Sequence, residues 1–173
     1  MVQALEAFFD EPAEEAVREL WRRLDSAGIP SLASRGKGRP HVTFAVAGGI
    51  PARSRAELAS ELRLLSLPTI WLYTLGTFPT TETQLVLTAV VDAELLAVHS
   101  AIHEVLANRA KNPSAYYMPG AWVPHCTLSR EIDTASLASA MSTLHPIRPI
   151  KARVREIGIT DTATGEVDSL LVR

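Results

Sequence analysis

One pattern constrains this chain more than any other. Pro-His-x-Thr followed by an apolar residue occurs twice, as PHVTF at Pro40–Phe44 and PHCTL at Pro124–Leu128, with the histidines 84 residues (125 − 41) apart in a chain of 173. Both stretches read as buried strands that open on a histidine. Side chains alternate across a strand, so His41 and Thr43 share one face while Val42 and Phe44 take the other. His125 and Thr127 likewise share a face, with Cys126 and Leu128 opposite. One histidine at a strand start is commonly structural. Two that bring the same threonine spacing to equivalent places in two halves point to a shared task.

The flanking segments predict the same order of elements in each half. In the first, residues 2–9 read as a strand, and Asp10 is placed to cap a helix with Pro12 in its first turn. Ala13, Ala16, Val17, Leu20, Trp21 and Leu24 keep helical spacing until Gly28 and Pro30. A loop over 29–40 leads into the first histidine strand. Ser54 and Glu57 suggest a capping box for a helix bearing Leu58, Leu62 and Leu65, and 69–78 reads as the next strand. In the second half a strand over 83–91 precedes a helix capped by Asp92 and running to about Ala110, with Leu95, Val98, Ile102 and Leu106 inward. A loop over 111–122 leads to a histidine strand over 123–129, then to a helix with Leu137, Met141 and Leu144. IKARVREIGI and DSLLVR close the chain as strands. Each half alone is small for a stable core. The expectation is therefore one domain, 1–173, made of two lobes of approximately 1–80 and 81–173.

At 47% hydrophobic and 21% charged residues the composition is globular. A net charge of −2 argues against a general nucleic-acid coating protein, which needs a basic surface to displace counterions. A small or single-stranded phosphate ligand held by local basic residues remains compatible. The first residues lack a basic segment and a long apolar run, so no signal peptide is expected, and no stretch approaches the ~18 apolar residues of a membrane span. Cys126 is the only cysteine and has no partner for an internal disulfide. Together these features predict a cytoplasmic protein with no membrane association.

The paired motifs resemble those of the 2H phosphoesterase superfamily, in particular its 2′-5′ RNA ligase and cyclic phosphodiesterase branch. The resemblance implies an α+β, bilobed fold in which antiparallel sheets form a central cleft and helices pack outside. It also implies a metal-free site on the cleft floor, with no cofactor. The implied substrates are 2′,3′-cyclic phosphates, 2′-5′ linkages or related phosphoesters at a nucleotide or RNA terminus. By the same resemblance His41 is the proton donor and His125 the proton acceptor, roles that exchange in the ligation direction. The chemistry accounts for the residue types. Opening a cyclic phosphate needs one proton removed from water and one delivered to the departing oxygen, and an imidazole with a pKa near 6.5 can do either. The Thr43 and Thr127 hydroxyls, on the same strand faces, can donate to the non-bridging oxygens. Intact His and Thr in both motifs favour catalysis over the alternative, a non-catalytic nucleotide- or RNA-end-binding module using the same cleft. No obligate protein partner is evident.

Other residues compete for roles. The resemblance suggests phosphate binding for Arg130, but plain alternation puts it on the face opposite His125 unless the strand twists or ends there. Arg35, Lys37 and Arg39 in the loop before His41 could steer an anion or simply be solvated. Tyr116, Tyr117 and Trp122 could stack on a base, although Trp122 could equally anchor its loop to the core. His99 and His103 have the spacing of two zinc ligands, but HSAIHE is not H-E-x-x-H, which favours a surface or half-buried helix position. His145 is placed to complement a helix C-terminus, Cys126 reads as core filler, and Lys151, Arg153 and Arg155 read as a solvated basic strand face.

Overall fold

The structure, a computed structural model, describes residues 2–36 and 38–173. In chain order the elements are β1 (Gln3–Phe9), α1 (Glu11–Ser26), β2 (His41–Gly49), α2 (Ala52–Leu64), β3 (Thr69–Gly76) and β4 (Gln84–Ala89). They continue with α3 (Ala93–Leu106), β5 (Lys111–Pro113), β6 (His125–Arg130), α4 (Thr134–Leu144), β7 (Ile150–Asp161) and β8 (Val167–Val172). The strands form one sheet in the order β5-β2-β1-β7-β3-β4-β6, with β8 also paired to β7. Every pairing is antiparallel. The α+β class and antiparallel architecture implied by the family resemblance are therefore present.

The 12-residue β7 joins the two lobes. Its first part, Ile150–Arg153, pairs with β3, and the stretch from Val154 to Asp161 pairs with β1. One lobe thus groups β1, β2, β5 and β8, and the other β3, β4 and β6. Each group therefore draws strands from both halves of the sequence. β3 joins the second-half strands because it continues through a short turn into β4, and consecutive strands tend to pair. β5 joins the first-half strands because α3, which precedes it, packs against β2.

The helices cross over in the same way. α1 buries Ala13, Val17, Leu20, Trp21 and Leu24, the stripe expected from its spacing, and packs against β6, β7 and α4. Burial of each of its large side chains contributes roughly 1.5–3 kcal/mol relative to exposure. Each histidine strand is therefore backed by a helix from the other half of the sequence. The free edge of β6 is covered by the chain leaving α1: the Leu32 amide donates to Leu128 O at 2.9 Å, and Ser129 Oγ donates to Pro30 O at 2.6 Å.

Several local expectations shift. Asp10 occupies the N-cap of α1, but its carboxylate accepts from the Arg153 amide at 3.3 Å instead of from its own helix. α2 starts earlier than the Ser54/Glu57 pattern predicts. Pro51, with its fixed φ of −61°, stands at the N-cap, Ser54 is buried in the first turn, and Glu57 pairs with Arg109. Asp92 caps α3 as expected, accepting from the Leu95 amide at 2.8 Å, and the helix ends at Leu106, just before Asn108 turns left-handed at φ 58°. Among the described residues no helix is long and apolar enough to cross a membrane.

Candidate active site

Both histidine strands start at their histidine and slip register directly after their threonine. On β1, Phe8 faces His41 and Glu6 faces Thr43, but Leu5 then faces Ala45, leaving Phe44 as an extra residue. On β4, Thr88 faces His125 and Val86 faces Thr127, but Leu85 then faces Ser129, leaving Leu128 extra. These are β-bulges at equivalent places, and each reassigns the faces of the residues that follow. A tryptophan from the opposite half meets each bulge: Trp122 Nε1 donates to Thr43 O at 2.9 Å, and Trp21 Nε1 lies 3.4 Å from Thr127 O.

The second bulge turns Arg130 to the face of His125. Arg130 pairs with Gln84, which shares its face with Val86 and Thr88, the partners of Thr127 and His125. His125, Thr127 and Arg130 therefore line one face. The position equivalent to Arg130 in the first motif is Val46, paired with Ala4, so the guanidinium makes the site asymmetric.

The sheet curls until β2 and β6 come into contact, with the Cys126 sulfur against the backbone amide of His41. Burial pushes the Cys126 thiol up to about 12, in keeping with a core filler. The two histidines are held alike. His41 Nδ1 lies 2.7 Å from Arg39 O, and His125 Nδ1 lies 2.7 Å from Val123 O. A carbonyl only accepts, so Nδ1 carries the proton in both rings and Nε2 is the atom left for chemistry. Each ring also meets a phenylalanine edge-on, His41 against Phe8 at 6.1 Å and His125 against Phe78 at 4.8 Å between centroids.

Beyond this the rings differ. Nε2 of His41 lies 3.3 Å from Oε1 of Glu6, whose other oxygen accepts from Thr160 Oγ1 at 2.6 Å. With Nδ1 committed to Arg39, that contact becomes a hydrogen bond when Nε2 also carries a proton. His125 is pushed below the ordinary imidazole range, first by burial and also by the nearby charges of His41 and Arg130, against the raising effect of the Val123 carbonyl. Glu6 escapes sequence reasoning because it looks like one charged residue in an alternating strand; its position on the face of His41 was the available signal. Among the described residues, neither the Thr43 nor the Thr127 hydroxyl is hydrogen-bonded to protein, which leaves both free for a ligand.

The remaining candidates separate. Tyr117 sits near enough to Arg130 and Glu6 to feel both charges, with burial raising its phenol, while Tyr116 is 80% exposed. Trp122 is an anchor: its ring stacks on His99 at 4.0 Å and packs on Phe44. His99 and His103 are buried, not at the surface. Their Nε2 atoms meet the carbonyls of Tyr117 at 2.8 Å and Phe44 at 3.0 Å, and among the described residues no group of three or more His, Cys, Asp or Glu side chains is placed to hold a metal ion. Arg35 pairs with Glu131, and Arg39 pairs with Glu156 and Glu14 while covering Phe8. Lys37 lies outside the described residues. His145 caps the end of α4, its backbone amide donating to Met141 O.

Comparison with known proteins bears out the resemblance drawn from the motifs. The sequence matches the 2′-5′ RNA ligase superfamily over residues 8–166. No curated protein matches the chain. Among solved structures, TT0787 of Thermus thermophilus is similar over 99% of this chain and 96% of its own, with a TM-score of 0.56 and 18% identity. Usb1 of Kluyveromyces marxianus with uridine monophosphate is similar over 99% of this chain and 98% of its own, with a TM-score of 0.47 and 11% identity. At such identity the likeness to TT0787 establishes the fold alone.

Proposed function

The chain belongs to the 2′-5′ RNA ligase superfamily, and from that premise we propose that it is a metal-independent phosphoesterase using His41 and His125 as an acid–base pair. Its substrate is a nucleotide or RNA end bearing a 2′,3′-cyclic phosphate or a 2′-5′ linkage, handled in the cytoplasm. The observation that supports this is the matched anchoring of the two rings: each Nδ1 is fixed on a main-chain carbonyl at 2.7 Å, which leaves Nε2 of each ring available for proton transfer.

The asymmetry around the rings supports this division of roles. His125, in surroundings that disfavour its charge, takes a proton from water. The water oxygen then bonds to phosphorus as the bond from phosphorus to the ribose oxygen breaks. His41, whose Nε2 proton has the Glu6 carboxylate as partner, delivers that proton to the departing oxygen. The net change is addition of one water. Thr43 and Thr127 donate to the non-bridging oxygens, and Arg130 balances their charge.

The test is a panel of 2′,3′-cyclic nucleotides and 2′-5′ oligonucleotides, with 2′- and 3′-phosphate products resolved. Turnover should rise and fall with pH through two apparent pKa values belonging to the coupled pair. His41→Ala or His125→Ala should abolish most of it, and the double variant should cost little more, because the two act as a unit. Activity lost to a chelator and restored by a divalent ion would overturn the mechanism. Binding of these ends without turnover would favour the non-catalytic module.

A further inference from the structure

The face that carries His125 does not stop at the cleft. Across the sheet His125 pairs with Thr88, and Thr88 pairs with Thr74. Two residues along, the Val90 amide donates to Trp71 O at 2.8 Å, and Trp71 in turn pairs with Lys151. With strands ~4.8 Å apart and ~3.4 Å per residue, Trp71 stands roughly 12 Å from His125 and Lys151 one strand beyond. The Trp71 and Tyr73 rings meet edge-on at 5.2 Å, and Lys151 Nζ lies 5.5 Å from the Trp71 ring centre, so these side chains share one surface. Arg153, paired with Thr69, follows on that surface by alternation.

This group is unusual in being left open. Ile70, Leu72, Ile150 and Ala152, on the reverse face of the same strands, are buried in the core. Trp71 and Tyr73 remain 39% and 55% exposed, although rings of that size usually find cover. Among the described residues, neither Lys151 nor Arg153 pairs with a carboxylate. In a chain of net charge −2, two unpaired cations beside two open rings form a local feature, not a general basic surface.

We propose that Trp71, Tyr73, Lys151 and Arg153 form a track for single-stranded RNA that runs on from the two-histidine site. It rests on the phosphoesterase reading and extends it, making the preferred substrate an oligonucleotide end, not a mononucleotide. Cations that follow the phosphates, combined with rings on which bases stack, are what an unpaired strand requires. A duplex hides its base faces from such rings. Phosphates of one strand, spaced several ångströms apart, reach from the site to Lys151 within a few nucleotides.

Binding to the intact protein can be measured by fluorescence anisotropy, with a dinucleotide and a longer single-stranded oligouridylate, both ending in a 3′-phosphate. The longer strand should bind at least about tenfold more tightly, and Trp71→Ala with Tyr73→Ala should remove about tenfold or more of its affinity. Lys151→Ala and Arg153→Ala should each lower the slope of log affinity against log salt by about 0.7, a change that loss of a structural contact would not produce. Arg63→Ala, on the exposed side of α2, should leave affinity and slope as they are. Equal affinity for both lengths, unchanged salt slopes in both cation variants, or equally tight duplex binding would each overturn the track. Track-dependent binding without turnover of any cyclic phosphate or 2′-5′ bond would instead sink the phosphoesterase reading and leave the track standing. Turnover indifferent to length would do the reverse.

Discussion

Thr43, Thr127 and Ser129 carry similar hydroxyls on the two histidine strands, and their surroundings give them different work. Ser129 Oγ donates to Pro30 O at 2.6 Å in a fully buried position, holding the loop that seals the β6 edge. The two threonine hydroxyls make no such bond among the described residues. Replacing Thr43 or Thr127 by valine keeps the shape and removes a donor, so turnover should fall on the order of 10²–10³-fold with little change in melting temperature. Ser129→Ala should show the opposite, losing about 1 kcal/mol of stability in urea titrations while retaining most turnover. A rate loss confined to Ser129→Ala would reverse these assignments. The histidines and threonines were legible in the sequence because their residue types and spacing repeat. Glu6 and Phe78 were not, because each becomes part of the site only through strand register or the fold of the chain around it.

At the scale of elements, α3 supports the first motif through buried rings that reach main-chain carbonyls. His103 meets Phe44 O, His99 meets Tyr117 O, and Trp122, stacked on His99, donates to Thr43 O. Burial, with a smaller contribution from the charge of His103, pushes His99 down to about 4 from the ordinary 6.5. Between those values the unfolded chain binds the proton that the folded chain refuses. The contribution of His99 to stability is therefore complete above about pH 6.5 and is lost as pH falls towards 4. The melting temperature should drop by roughly 5 °C or more across that window, and His99→Gln, which cannot titrate, should flatten the fall. Parallel acid slopes for wild type and variant in thermal melts would remove His99 from this role. The amphipathic spacing of α1 and α3 made both helices readable. The bulges were not readable, since an extra residue exists only relative to a partner strand, and alternation alone therefore left the face of Arg130 open.

For the whole molecule, the exchange of helices between halves decides how the chain can fold. α1 lies against β6, α3 lies against β2, and β7 pairs with strands of both lobes. The repeated order of elements suggested lobes that follow the halves of the sequence, since chain order contains no sign of which helix covers which strand. The fragment 1–80 would have to present β2 without α3, and 81–173 would have to present β6 without α1 or the loop that covers its edge. Either fragment would expose a long apolar sheet face, which a piece of this size cannot sustain. Expressed separately, both fragments should therefore give circular dichroism spectra lacking a cooperative melt, while the intact chain unfolds in one transition with coincident loss of signal from Trp21 and Trp122. A fragment with its own cooperative melt, or separate transitions for the two tryptophans, would mean that the lobes are independent units. In that event the pairing of His41 with His125 would depend on how two bodies dock, and not on one continuous sheet.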